Sequence, residues 1–227
     1  MSKVAVVTGT SGNLGPIWVE TLNKLGYTVF GIDLPKYDVS SLKSVAIAAR
    51  ECVQNIGSPE VIVNNAAVDN PPGSDASFFG NFERIMAVNL TGAVNVTRCF
   101  LPDMILNQKG LIVNIGSIQG NIGADYRNYP EDFEKPCAYN CSKAALIQLS
   151  RSIAVQYGRF NIRSVTLSFS AYDGGKLKPD FLGKFLKNVP LRRTISRESL
   201  EASLIYAINC PELTGQQILC DAGYCAW

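Results

Sequence analysis

Short, almost wholly apolar runs alternate along this chain with longer stretches in which apolar residues return every third or fourth position. The short runs are Val4 to Val7, Tyr27 to Ile32, Val61 to Val63, Leu111 to Ile115, Ile162 to Leu167 and Gln217 to Cys220. Most are rich in β-branched side chains, and they predict buried strands. The helical period appears in Ile17, Trp18, Leu22 and Leu25, and again in Leu42, Val45, Ile47 and Ala48. It spans roughly Phe82 to Leu106, runs from Tyr139 to about Tyr157, and returns at Leu200 to Ile208. Strand and helix in alternation predict an α/β fold: a single-domain, Rossmann-type, doubly wound parallel sheet in three α/β/α layers. One place is cramped. Asp38-Val39-Ser40 follows the second strand almost at once, so a helix of that unit is expected to be missing and the second crossover shortened. Residues 118 to 136 are polar and aromatic without a clear period, and an irregular stretch with Gly174-Gly175 follows Leu167. No repeat, linker or composition shift divides residues 1–227.

Composition narrows the function. Apolar residues make up 47% and charged residues 18% of the chain, which fits a globular protein. Net charge is +2 with no long basic or acidic run, so no nucleic acid or membrane partner is expected. No apolar run approaches membrane-spanning length, and Met1-Ser2-Lys3-Val4 leads straight into a strand rather than a signal peptide. The seven cysteines are odd in number and form no CxxC pair, and histidine is absent, so no metal site is expected. Reduced thiols and a cytoplasmic location are the corresponding expectation. Cys141 lacks a histidine partner to activate it as a nucleophile.

The candidate chemistry centres on Tyr139-Asn140-Cys141-Ser142-Lys143. Positions i and i+4 share one face of a helix, so the phenol and the ammonium can point into one cleft. A nearby cation favours phenolate, which would lower the Tyr139 pKa toward the range of a proton shuttle. Without histidine, Tyr139 is the strongest acid/base candidate. Ser117 stands at the carboxyl end of a strand, the edge where open α/β sheets bind ligands. Upstream, Thr8-Gly9-Thr10-Ser11-Gly12-Asn13-Leu14-Gly15 links a strand to a helix. Strand, glycine turn and helix form the setting of a dinucleotide pyrophosphate. Asp33 ends the second strand, where a carboxylate accepts from an adenosine ribose and repels a 2′-phosphate, so NAD (NADH) is expected over NADP.

These residues, in this order, resemble the short-chain dehydrogenase/reductase family across nearly the whole chain. The resemblance rests on Thr8-Gly9…Gly15, Asp33, Asp38-Val39, Asn64-Asn65-Ala66, Asn89, Ser117, Tyr139-x-x-x-Lys143 and the closing Thr214-Gly215…Asp221-Ala222-Gly223. It implies one NAD(P)-binding Rossmann domain and an NAD-dependent enzyme that interconverts an alcohol and a carbonyl. By it, Tyr139 is the general acid/base, Ser117 holds the reacting oxygen, and Asn89 maintains a proton relay. Lys143 holds the cofactor ribose and lowers the Tyr139 pKa. The implied cofactor contacts are Gly9, Ser11, Gly12, Asn13, Leu14, Gly15, Asp33, Asp38, Val39, Asn65, Ala66, Ala67, Tyr139 and Lys143. The family also implies a homodimer or homotetramer, with the helices near 82–106 and 139–157 pairing across a two-fold. Asn65-Ala66-Ala67-Val68-Asp69-Asn70-Pro71-Pro72-Gly73, the 118–136 segment and the terminus from Gly223 to Trp227 look like bacterial members tied to surface-sugar and flagellin-glycan synthesis.

The departures point elsewhere. Gly9-x-x-Gly12-x-x-Gly15 has the spacing of the family's extended, sugar-nucleotide branch, and Phe169-Ser170 and Val165 replace the usual Pro-Gly and asparagine. Two alternatives follow: a catalytically silent dinucleotide-binding protein, or a sugar-nucleotide epimerase or dehydratase. The segment between Ser117 and Tyr139 is longer than the family's usual one. It carries Asp125, Tyr126, Arg127, Asn128, Tyr129, Glu131, Asp132, Phe133, Glu134 and Lys135. That composition suits a hydroxylated substrate, a sugar phosphate or nucleotide sugar, with Arg127 as the anchor of its anion.

Overall fold

Alternate residues of each inner strand point to opposite faces of the sheet, and each face buries its own set. The computed structural model of the chain describes residues 3–69 and 77–226. The elements in order are β1 (Lys3–Thr8), α1 (Gly15–Lys24), β2 (Tyr27–Ile32), α2 (Leu42–Asn55), β3 (Val61–Asn64), α3 (Phe82–Met86) and, after a π-helical turn (Ala87–Thr91), α4 (Gly92–Leu106). Then follow β4 (Gly110–Ile115), α5 (Cys137–Tyr157), β5 (Ile162–Phe169), α6 (Pro179–Lys187), α7 (Arg197–Asn209) and β6 (Gln217–Cys220). All neighbouring strands pair in parallel, in the order β2-β1-β3-β4-β5-β6.

Ala5, Val7, Val61, Val63, Leu111 and Val113 face α1 and α7, meeting Trp18, Leu22, Leu200 and Leu204. Val4, Val6, Ile62 and Ile112 face the other way, onto Val45 of α2, Val96 and Phe100 of α4, and Ile153 of α5. The three-layer architecture is therefore present. The second crossover is short, as expected, and α2 alone fills the β2-to-β3 connection. Among the described residues, no strand lies beyond β2. The classic doubly wound order places two strands beyond the first, whereas this sheet ends at β2.

A buried polar ladder fixes α5 on the sheet. Asn64 Nδ2 donates to Asn114 Oδ1 at 2.9 Å, Asn114 Nδ2 donates to Ser150 Oγ at 2.9 Å, and Ser150 Oγ lies 2.7 Å from Thr166 Oγ1. Buried hydrogen-bonded groups of this kind fix a register, because a one-turn slip would strand every partner. The sequence reading missed α6 and read 82–106 as one uninterrupted helix. Asn70-Pro71-Pro72-Gly73, Met1, Ser2 and Trp227, which figured in that reading, lie outside the described residues. No helix among the described residues is long and apolar enough to cross a membrane, and they hold no metal-ligating cluster.

Candidate active site

The winding of the chain reverses between β1 and β3, and a cavity of about 600 Å³ opens at the carboxyl ends of those strands. Glycine is required at two points of its rim. Gly9 holds φ +66°, and a Cβ there would lie 2.9 Å from Ala66 Cα. A Cβ on Gly15 would lie 2.2 Å from the Gly9 carbonyl oxygen, so only glycine lets α1 start beneath the turn. Gly9, Ser11, Gly12, Asn13 and Leu14 line the cavity, while Gly15 packs under it. Asn65 braces the turn: its Nδ2 donates to the carbonyls of Thr8 and Gly9, both at 3.0 Å, and its Oδ1 accepts from Trp18 Nε1 at 2.9 Å. Thr8 Oγ1 accepts from the backbone N–H groups of Asn65 and Ala66.

Asp33 closes the far end. Its Oδ2 accepts from Ser11 N at 2.7 Å and Ser11 Oγ at 2.6 Å. Partial burial pushes this carboxyl up, but the bonds from Ser11, Leu34 and Thr10 outweigh it, and the group titrates below its usual range. Asp38, Val39, Asn65, Ala66, Ala67, Tyr139 and Lys143 complete the expected lining. Val39 sits against Gly92, where a Cβ would come within 2.8 Å of its side chain. Among the lining residues that the sequence did not single out are Tyr37 and Arg84, which with Lys143 supplies the cationic side chains among the described residues of this wall. A glycine turn at a helix N-terminus, a carboxylate at the end of β2 and a buried ammonium fit a nicotinamide dinucleotide.

A second cavity of about 400 Å³ shares Tyr139 and Asn13 with the first. Ser117 lines it from the end of β4, and its Oγ accepts from Gln119 N at 3.2 Å. The residues between Ser117 and Tyr139 form one wall, as their fixed ends require. α6 and the C-terminal Tyr224 form another, with Phe181, Phe185 and Tyr224 in a stacked row at ring separations of 5.6 Å and 5.0 Å. Tyr224 Oη accepts from Asn128 Nδ2 at 2.9 Å and donates to Asp125 Oδ2 at 3.1 Å, tying the end of the chain over the cavity. Phe169 and Ser170 also line it, and Phe169 stacks on Trp18 at 5.9 Å. The Trp18 and Asn65 contacts thus connect this departure from the family pattern to the glycine turn.

Two expectations, on the Tyr139 pKa and on Arg127, need correction, and Asn89 stands apart from both cavities. Lys143 is 3% exposed, and its Nζ donates to the Ile115 carbonyl at 2.8 Å rather than to the phenol; it stands 5.5 Å from the Tyr139 ring centre. Burial and the Asp69 charge push the Tyr139 phenol well above its ordinary value, with only a Ser117 hydrogen bond opposing them. Burial pulls Lys143 down to about 8, against the Asp69 charge. Desolvation outweighs charge stabilisation here, which favours the phenol over the phenolate. Asn89 lies in the π-helical turn and lines neither cavity: its Oδ1 accepts from Val68 N, and its Nδ2 donates to Val68 O and Ser142 Oγ. It positions the backbone after β3 against α5. Arg127 points outward, its side chain 78% exposed and paired with Asp125, and it lines neither cavity. Among the described residues, the cation that does enter is Lys135. Cys141 is exposed and outside both cavities.

Residues 31–173 match the family described as short chain dehydrogenase. Carbonyl reductase family member 4 of Xenopus laevis is 28% identical over 98% of this chain and 98% of its own length. D-arabinitol 2-dehydrogenase [ribulose-forming] of Candida tropicalis is 26% identical over 99% and 93%. Among solved structures, a short chain dehydrogenase from Leptospira borgpetersenii with bound NAD+ superposes with TM-score 0.86 at 22% identity, covering 99% of this chain and 93% of that one. A gluconate 5-dehydrogenase from Burkholderia cenocepacia in complex with NADP and tartrate does so with TM-score 0.82 at 18% identity, covering 99% and 96%.

Proposed function

The chain belongs to the short-chain dehydrogenase family, and on that premise we propose that it is an NAD-dependent oxidoreductase that interconverts an alcohol and a carbonyl on a small, polar, sugar-like substrate. The observation that carries this reading is the junction at Tyr139. One cavity fits a dinucleotide, the other is polar and aromatic, and Tyr139 lines both. When bound, the nicotinamide takes or gives a hydride at the substrate carbon, which leaves an oxygen that must lose or gain a proton in place. Tyr139 gives that proton in reduction and, as the phenolate, receives it in oxidation, with Ser117 holding the same oxygen. Lys143 places a buried ammonium on the cofactor side of the phenol. Asn89 and Ser142 hold the π-helical turn against the first turns of α5, which sets where Tyr139 points.

Asp33 supports the preference for NAD(H). A second phosphate on the ribose would meet its carboxylate, which Ser11 keeps ionised, at a cost of about 1–3 kcal/mol. A polyol appears in the name of one full-length relative, and the amide, carboxylate and hydroxyl groups of the second cavity support the same class of substrate. The apolar groove between α4 and α5, bordered by Leu101, Ile105, Leu149 and Ile153, supports a homo-oligomer. The free thiols are consistent with the cytoplasm.

The test is a titration of NADH and NADPH by fluorescence, followed by absorbance at the reduced-nicotinamide band with a panel of polyols and hydroxy ketones. NADH should bind more tightly and support turnover, and Asp33→Ala should narrow the margin. Turnover with NADP(H) equal to or better than with NAD(H) contradicts the cofactor assignment. Tight binding without turnover on any substrate favours the silent reading.

A further inference from the structure

Beside Tyr139 lies a charged pair that the chemistry above does not use. Lys135, 8% exposed, places its Nζ 4.8 Å from the centre of the Tyr139 ring and forms an ion pair with Asp69 Oδ2. The second oxygen of that carboxylate, Asp69 Oδ1, is buried and has no hydrogen-bond partner. Two more buried polar atoms of the same cavity are unpartnered, Gln119 Oε1 and Ser170 Oγ. Asp69 Oδ1 and Gln119 Oε1 are acceptors only, so what they recognise must donate hydrogen bonds. Lys135, with three N–H donors and one carboxylate partner, can also donate. A hydroxyl does both at one atom, giving to Asp69 and taking from Lys135. A further negative charge does not fit: the cation is already neutralised by Asp69, and a second carboxylate, Asp125, lines the same wall.

We propose that Asp69 and Lys135 bind a second hydroxyl group, on the carbon next to the reacting one, so that the substrates are uncharged vicinal diols and the α-hydroxy ketones formed from them. This rests on the oxidoreductase reading and narrows it. The pair flanks the ring of the proton donor, which places it within reach of the neighbouring carbon rather than a distant one. The second hydroxyl is held and not transformed; no bond to it forms or breaks. The preference for an unphosphorylated substrate also replaces the anion-anchoring role first expected of Arg127.

The experiment compares reduction of 3-hydroxybutan-2-one with that of butan-2-one, using NADH. The hydroxy ketone should be favoured in kcat/KM by about 100-fold or more, the scale on which sites built around a hydroxyl discriminate against its absence. Asp69→Ala and Lys135→Met should each bring that ratio to within about threefold while NADH binding stays unchanged. Binding is read separately from turnover. In the Tyr139→Phe protein with NAD+, calorimetry should show butane-2,3-diol bound at least about tenfold tighter than butan-2-ol. Equal reduction of both ketones, an unchanged ratio in both variants, or a preference for dihydroxyacetone phosphate over dihydroxyacetone overturns the proposal and leaves the oxidoreductase reading standing. NADH binding with neither ketone reduced overturns both.

Discussion

Tyr139 stands between two ammonium groups, Lys135 at 4.8 Å and Lys143 at 5.5 Å from its ring centre, yet burial raises its pKa rather than lowering it. Asp69 cancels the first charge, and burial weakens the second. Ser117, Tyr139 and Lys143 were legible in the sequence because strand-end placement and i, i+4 spacing are local patterns. The pairing of Asp69 with Lys135 was not, because it spans 66 positions and neither residue belongs to a recurring motif. The Lys143 titration carries a consequence for stability. Its folded pKa, about 8, lies below the ordinary 10.5, so between those values the unfolded chain binds the extra proton. Stability contributed at this position therefore rises with pH across the window of about 8 to 10.5. Denaturant unfolding at several pH values, with Lys143→Met beside the unmodified protein, should show a flatter dependence in the variant. Parallel curves would contradict the burial of this charge.

At the scale of elements, the strands and long helices followed the apolar pattern, and two features did not. The π-helical turn at Ala87–Thr91 carries no distinct periodicity, since one extra residue per turn merely shifts the apolar stripe. Asn89 marks it from inside by spending its side chain on Val68 and Ser142. α6 is short, holds Gly183, and buries only Phe185, so its stripe is too brief to stand out after Gly174-Gly175. The faces of α4 and α5 give the element-scale prediction. Val94 is 38% exposed on the edge of their apolar groove, so a charge there need not disturb the core. Sedimentation should give a mass of at least two chains for the unmodified protein and a reduced one for Val94→Glu. A single-chain mass for the unmodified protein removes the proposed pairing.

Across the whole molecule, a parallel sheet one strand short still brings the ends of β1, β3, β4 and β5 to one edge. The economy falls beyond β2, away from Tyr139, and Asp38 and Val39 enter the cofactor cavity directly from the short connection after it. The opposite side of the site is built by chain far apart in sequence. Asp125 and Asn128 meet Tyr224 across 99 and 96 positions, which no local pattern foretells. Two cavities joined at one tyrosine remain the central claim, and replacing only its hydroxyl tests that claim most directly. Tyr139→Phe keeps the ring and removes the proton, so turnover of 3-hydroxybutan-2-one with NADH should fall by about two to four orders of magnitude. The NADH dissociation constant, measured on the same sample, should stay within about twofold of the unmodified protein's. Near-full turnover by Tyr139→Phe, with NADH bound as before, would contradict the assignment of Tyr139 as the acid and base of this site.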